Sequence, residues 1–130
     1  MGDICRSLLI GGKLVLCPDD LKMDIENLSG LMIKNKISII ESVPSVILPL
    51  MEYIETSNEN FDFLKVVILG SDAFNITAYK KLQQHLGKRI KFFNSYGTTE
   101  TTIDSTYYYE TADNVKGYGN APIGKPFSNT

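Results

Sequence analysis

Apolar positions along this chain form short runs and helical stripes that alternate with each other. Leu14-Val15-Leu16, just after Gly11-Gly12, reads as a brief strand. Pro18-Asp19-Asp20 signals a helix start, and Leu21, Ile25, Leu28 and Met32 follow at helical spacing. Residues 37–43 form a β-branched run expected to be a buried strand. Ser45 is placed to cap a helix over 46–56, with Pro49 either in its first turn or kinking it. The run 64–69 is the next strand, closed by Gly70. Asn75 caps a helix whose Ile76, Tyr79, Leu82 and Leu86 share a face and which Gly87 ends. Residues 90–93 are a fourth strand, 103–109 a further one, and the Gly- and Pro-rich tail 117–130 is mostly loop.

Strand–helix alternation of this kind predicts an α/β fold: a mostly parallel sheet with helices on both faces. Ligands of such sheets bind at the carboxyl ends of the strands. Those ends read Glu41-Ser42, Gly70-Ser71-Asp72 and Asn94-Ser95-Tyr96-Gly97, all small or polar. Gly70 and Gly97 permit a close backbone approach to a ligand, or simply make turns. Tyr96 offers a flat face for a purine, with a stacking energy of about 1–3 kcal/mol. Asn94 has the amide to read a purine edge. The hydroxyls of Thr98, Thr99, Thr101 and Thr102 suit phosphate oxygens. Glu100 suits magnesium, which takes one or two carboxylates and completes its shell with phosphate and water. Asx, Thr and Gly clusters also cap helices for structural reasons alone. Glu41 ends an apolar strand and Asp104 follows Ile103 in another; they are either solvated strand-end acids or a pair aimed into a pocket. Two acids in one pocket are costly until a cation enters, and a ligand ammonium group supplies one.

Composition narrows the classes. The chain has 130 residues, 43% hydrophobic and 22% charged, which suits one globular domain. A net charge of −2 without a basic block excludes a nucleic-acid surface. No apolar run reaches the roughly 20 residues of a membrane span, and no signal peptide is recognisable, so a cytoplasmic protein without membrane contact is expected. Cys5 and Cys17 are expected to be buried free thiols. His85, the sole histidine, lies on the polar side of the 76–86 helix and supports no hydrolytic triad.

Asn94-Ser95-Tyr96-Gly97-Thr98-Thr99-Glu100 resembles the NxYGPTE motif of adenylation domains in nonribosomal peptide synthetases, with Thr98 where proline is usual. These belong to the adenylate-forming superfamily, with acyl-CoA ligases and luciferases. Three more stretches agree in order: SLLIGGKLVLCPDD (7–20) is similar to LLxGGxLVL, ILGSDAF (68–74) to the adenine loop GGEAL, and APIGKPFSNT (121–130) to PIGRPxxNT. The resemblance covers essentially the whole chain. It implies ATP-dependent activation of an amino acid as aminoacyl adenylate, in antibiotic biosynthesis. The product would then load onto the phosphopantetheine thiol of a carrier domain, with condensation domains as further partners.

The resemblance also implies roles. Tyr96 and Gly97 would face adenine, Asn94 its amino group, and Ser71, Asp72 and Ala73 its other side. Thr99 would touch the α-phosphate, and Glu100 would hold magnesium beside ATP or AMP. The amino-acid pocket would comprise Gly2, Glu41, Ile68, Gly70, Ser95, Ile103 and Asp104. That string, G-E-I-G-S-I-D, resembles the code of ornithine-activating domains. Lysine is second, because one methylene separates ligands by only about 1–3 kcal/mol. The family's phosphate loop, its amino-group and ribose aspartates and its catalytic lysine are not in these 130 residues. The chain is therefore expected to be one subdomain of a larger synthetase and inactive alone. A non-catalytic flavodoxin-like scaffold and a fragment of an acyl-CoA ligase are the alternatives.

Overall fold

Parallel strands need a crossover between each pair, and two amphipathic stretches here, 44–56 and 76–86, supply them. The computed structural model describes residues 2–70, 72–101 and 104–128. Helix α1 (Gly2–Leu8), which the apolar pattern does not announce, opens the chain. The strand expected at 14–16 is not formed, and Leu16 is exposed. A strand requires a ladder partner, and none of the described residues pairs with this segment. The helix expected from residues 18–20 is a single 3₁₀ turn, Asp19–Leu21, followed by α2 (Ile25–Asn35). Asp24 caps α2 by accepting from the Asn27 amide at 3.1 Å.

Strand β1 (Ile39–Ser42) is shorter than the apolar run suggested. Helix α3 (Pro44–Thr56) starts earlier than expected, with Val43 at the cap and Pro44 at the first position. Ser45 therefore lies inside the helix and caps nothing, and Pro49 sits in the interior. Strand β2 (Val66–Leu69) and α4 (Ile76–Leu86) follow. Asn75 caps α4 as expected, accepting from the Thr77 and Ala78 amides at 2.8 and 3.4 Å. Gly87 ends α4 in a right-handed conformation; a Cβ there would collide with the Gln83 backbone, so close approach rather than a left-handed turn calls for glycine. Strand β3 (Lys91–Tyr96) runs through Asn94-Ser95-Tyr96 instead of stopping before them. Strands β4 (Thr106–Tyr108) and β5 (Lys125–Pro126) complete the sheet, the latter inside the tail expected to be loop.

The sheet order is β1-β2-β3-β4-β5, with two parallel pairs and then two antiparallel ones. This is a mixed α/β architecture whose crossover half is parallel. Val67, Leu69 and Phe92 are fully buried on one face, against the core that Leu28, Ile47, Leu50 and Leu82 contribute from α2, α3 and α4. The intervening Val66, Ile68 and Phe93 point to the other face and stay partly exposed. Among the described residues, α1 is the α-helix that reaches that face, through Arg6. Cys5 is exposed and Cys17 half-buried, both as free thiols, so the expected burial of the two is not observed. Among the described residues no helix is long and apolar enough to cross a membrane.

Tyr79 fastens helices to sheet. Its buried hydroxyl donates to the Phe92 carbonyl at 2.8 Å and accepts from Gln83 Nε2 at 3.0 Å and from the Glu110 amide at 3.1 Å. Burial pushes this phenol above its ordinary range. Tyr79→Phe strands these groups in the core, and urea denaturation is expected to show a loss of about 1–3 kcal/mol with the m-value retained.

Candidate ligand-binding site

Parallel pairing sends the segments after β1, β2 and β3 out of one edge. Ser42 aligns with Leu69, and Leu69 with Asn94. The Gly70 amide donates to the Ser42 carbonyl at 3.2 Å, tying the first two exits together. The rim expected from the strand ends is therefore a single edge.

Beneath it, on the open face of the sheet, lies a cavity of about 440 Å³. Ile68, Phe93, Ser95 and Tyr107 form its floor and walls, with Arg6 and Asp104 at its polar end. Glu41 pairs with Ile68 in the ladder and so shares this face. Gly70 is buried against it: a Cβ on Gly70 would sit 3.5 Å from Glu41 Oε1.

The two acids converge. Arg6 Nη1 donates to Glu41 Oε2, while Arg6 Nη2 donates to Asp104 Oδ2 at 2.9 Å. The carboxylate side chains are only 20% and 15% exposed, the arginine 35%. A planar guanidinium thus bridges two carboxylates with separate nitrogens, an arrangement its fork geometry favours. The three formal charges sum to −1. Ser95 is 6% exposed, and its Oγ has no hydrogen-bond partner among the described residues. A buried unpaired hydroxyl facing a cavity is costly unless something in the cavity satisfies it.

Of the seven pocket positions expected from the sequence, Glu41, Ile68, Gly70, Ser95 and Asp104 are brought together. Gly2 lies on α1 one turn before Arg6, and Ile103 lies outside the described residues. Arg6, Phe93 and Tyr107 were not anticipated. The i, i+4 spacing of Gly2 and Arg6 was the available signal for the first. Tyr107 is recognisable only once β4 is known to pair with Ser95.

The second group of expected residues lies along the edge. Tyr96 ends β3 with its ring 47% exposed, and Gly97 follows. Asp72 and Ala73 are exposed in the loop after β2, where Asp72 Oδ1 accepts from the Ala73 amide at 2.7 Å. Ser71 lies outside the described residues. Asn94 does not face the cavity. It is 5% exposed on the helix-covered side, and its Nδ2 donates to the Pro122 carbonyl at 3.0 Å. Thr99 and Glu100 begin a 3₁₀ turn, Thr99–Thr101. The Glu100 carboxyl is exposed and held below the ordinary glutamate range, first by its own backbone amide and then by the Thr98 hydroxyl. Among the described residues no three acidic, histidine or cysteine groups gather as a metal cage. One ionised, exposed carboxylate fits a cation that completes its shell with phosphate oxygens and water. His85 pairs with Glu55 away from the site.

Comparison with known proteins identifies the family and the fold. The family described as AMP-binding enzyme matches residues 1–130. Bacitracin synthase 2 of Bacillus licheniformis is 45% identical over 129 residues, covering 99% of this chain and 5% of the relative. Gramicidin S synthase 2 of Brevibacillus brevis is 41% identical, over 98% of this chain and 3% of its own length. The chain therefore spans a small part of these relatives. Among solved structures, the nonribosomal peptide synthetase FmoA3, bound to α-methyl-L-serine-AMP, superposes with a TM-score of 0.76 at 20% identity, over 92% of this chain and 13% of that one. The Vibrio cholerae adenylation domain AlmE, in complex with glycyl-adenosine-5′-phosphate, gives 0.63 at 23% identity, over 84% of this chain and 19% of that one.

A depressed carboxyl favours the folded state above its unfolded pKa, and the contribution is lost as pH falls through the folded value. Carboxyl NMR titration is expected to find Glu100 ionised below the ordinary range, and Thr98→Val to move its midpoint upward. An unmoved midpoint would leave the backbone amide as the sole cause.

Proposed function

The chain belongs to the AMP-binding enzyme family, and from that premise we propose that it is the specificity-carrying subdomain of a nonribosomal peptide synthetase adenylation domain. In this reading the parent domain activates an α,ω-diamino acid as its adenylate, ornithine before lysine. The product then loads onto the phosphopantetheine thiol of a carrier domain.

One observation carries the substrate class: Glu41 and Asp104 meet on a single cation beside a cavity floored by Ile68 and Ser95. A side-chain ammonium is the ligand group such a pair holds, and the apolar walls suit the methylenes that lead to it. A fatty acyl chain has no cation to offer these acids, which disfavours an acyl-CoA ligase. The cationic ligand would enter with Ser95 Oγ as a further contact, and in this proposal Gly2 and Gly70 would leave room along its path. Ile103 belongs to the same proposal.

The nucleotide would lie along the edge. Tyr96 presents its ring to adenine, with Gly97, Ser71, Asp72 and Ala73 around it. Asn94 has its Nδ2 engaged and would accept the adenine amino group through Oδ1. Thr99 would contact the α-phosphate, and Glu100 would hold magnesium, whose charge stabilises the phosphates. Adenylation depends chiefly on positioning and electrostatic stabilisation. The 130 residues lack the phosphate loop and lysine of the complete family pattern, so the chain alone is proposed to be inactive.

The test is a graft of residues 1–130 into an adenylation domain that selects a neutral amino acid, followed by ATP–pyrophosphate exchange. Ornithine should become the preferred substrate, and Glu41→Gln with Asp104→Asn should reduce that preference about 10–100-fold, the value of charged hydrogen bonds. Retention of the host's preference would reject the reading.

A further inference from the structure

The cation that joins Glu41 to Asp104 in this chain belongs to the protein itself. We propose that Arg6 is a resident counter-ion of the acid pair, which a ligand's ammonium group displaces, so that affinity at this site is set by exchange of one cation for another. The inference deepens the reading above and rests on it for the identity of the ligand group.

Four observations carry it. First, Arg6 reaches Glu41 with Nη1 and Asp104 with Nη2, so the guanidinium occupies the space between the carboxylates. That is also where a single ammonium would interact best with both. Second, Arg6 lines the cavity mouth, is 35% exposed and extends from a seven-residue helix. Ile4 and Leu8 of that helix are themselves exposed, so neither of these apolar side chains is buried in the core. Third, the guanidinium leaves Ser95 Oγ, buried in the same cavity, without a partner. The site therefore holds a cation yet leaves a hydroxyl unmet, and an ammonium with three donors can serve both carboxylates and the hydroxyl. Fourth, both carboxylates are mostly desolvated, and withdrawing Arg6 without a replacement would remove the cation they share. A neutral side chain cannot compensate that loss, whereas a cation can.

n-Butylammonium carries the side-chain cation without α-amino or carboxylate groups, so binding it does not depend on amino-acid recognition. In the 130-residue protein, NMR titration following the Ile68 and Ser95 amides is expected to show Arg6→Gln binding this probe about tenfold more tightly than wild type, because no paired cation has to leave. In the wild type, saturation with the probe should release the hindered rotation of the Arg6 guanidinium. Equal or weaker binding by Arg6→Gln, no binding by either protein, or a guanidinium still held at saturation would each overturn the proposal. Should Arg6→Gln fail to fold, Arg6→Lys keeps the charge but loses the fork, and is expected to bind the probe more tightly than wild type; an unchanged or lower affinity overturns the exchange. Exchange of Arg6 for the probe combined with a graft that ignores ornithine would reject the substrate reading and leave this inference standing.

Discussion

The in-register parallel pairing of β1, β2 and β3 is the constraint on which everything else depends. Glu41, Ile68 and Phe93 align across the three strands and face the cavity, while Ile40, Val67 and Phe92 align one residue earlier and face the core. Because side chains alternate along a strand, a slip of one residue would bury Glu41 among the helices and turn Val67 to water. The hydrophobic load on the helix side prevents that slip. The acids are thus positioned by residues that never touch them.

The two faces of the sheet are finished differently, and the difference creates the site. Three helices cover one face and exclude water from Val67, Leu69 and Phe92. The other is walled mainly by aromatic rings: Phe93 stacks on Tyr109 at 4.9 Å, and Tyr107 lies 4.9 Å from Phe127. Rings joined to short strands make a firm wall without filling the space above the sheet. The antiparallel turn of the chain into β4 and β5 supplies Tyr107 and Phe127 to that wall, which a continued parallel crossover would not.

Legibility in the sequence followed physical range. Elements fixed by local chemistry were readable: the Asn75 cap, the apolar stripe of α4, and the β-branched cores of β1 and β2. So was the common edge, because alternating strands and helices leave few topologies open. What depended on distant partners was not. Leu14-Val15-Leu16 has a strand's composition but no strand beside it. Asn94-Ser95-Tyr96 have the polarity of a loop yet are strand, because β4 pairs with each of them. Asn94 has the polarity of an exposed group yet is turned inward, its Nδ2 bonded to the carbonyl of Pro122, 28 residues away. The convergence of Glu41 and Asp104 was expected, but the cation between them, on a helix the apolar pattern did not show, was not.

On the proposed function the pocket would divide recognition between charge and length. Ornithine and lysine would bring the same cation to Glu41 and Asp104, so the acids would select the class without separating its members. Separation must come from the distance between the acid pair and the edge where the reacting carboxylate would lie. That distance is set by the rigid ladder through Ile68, Phe93 and Ser95. An extra methylene must either buckle the ligand or lift its carboxylate, at a cost of about 1–3 kcal/mol. Moving the acids would change the class of substrate, and reshaping the apolar walls would change the member chosen within it.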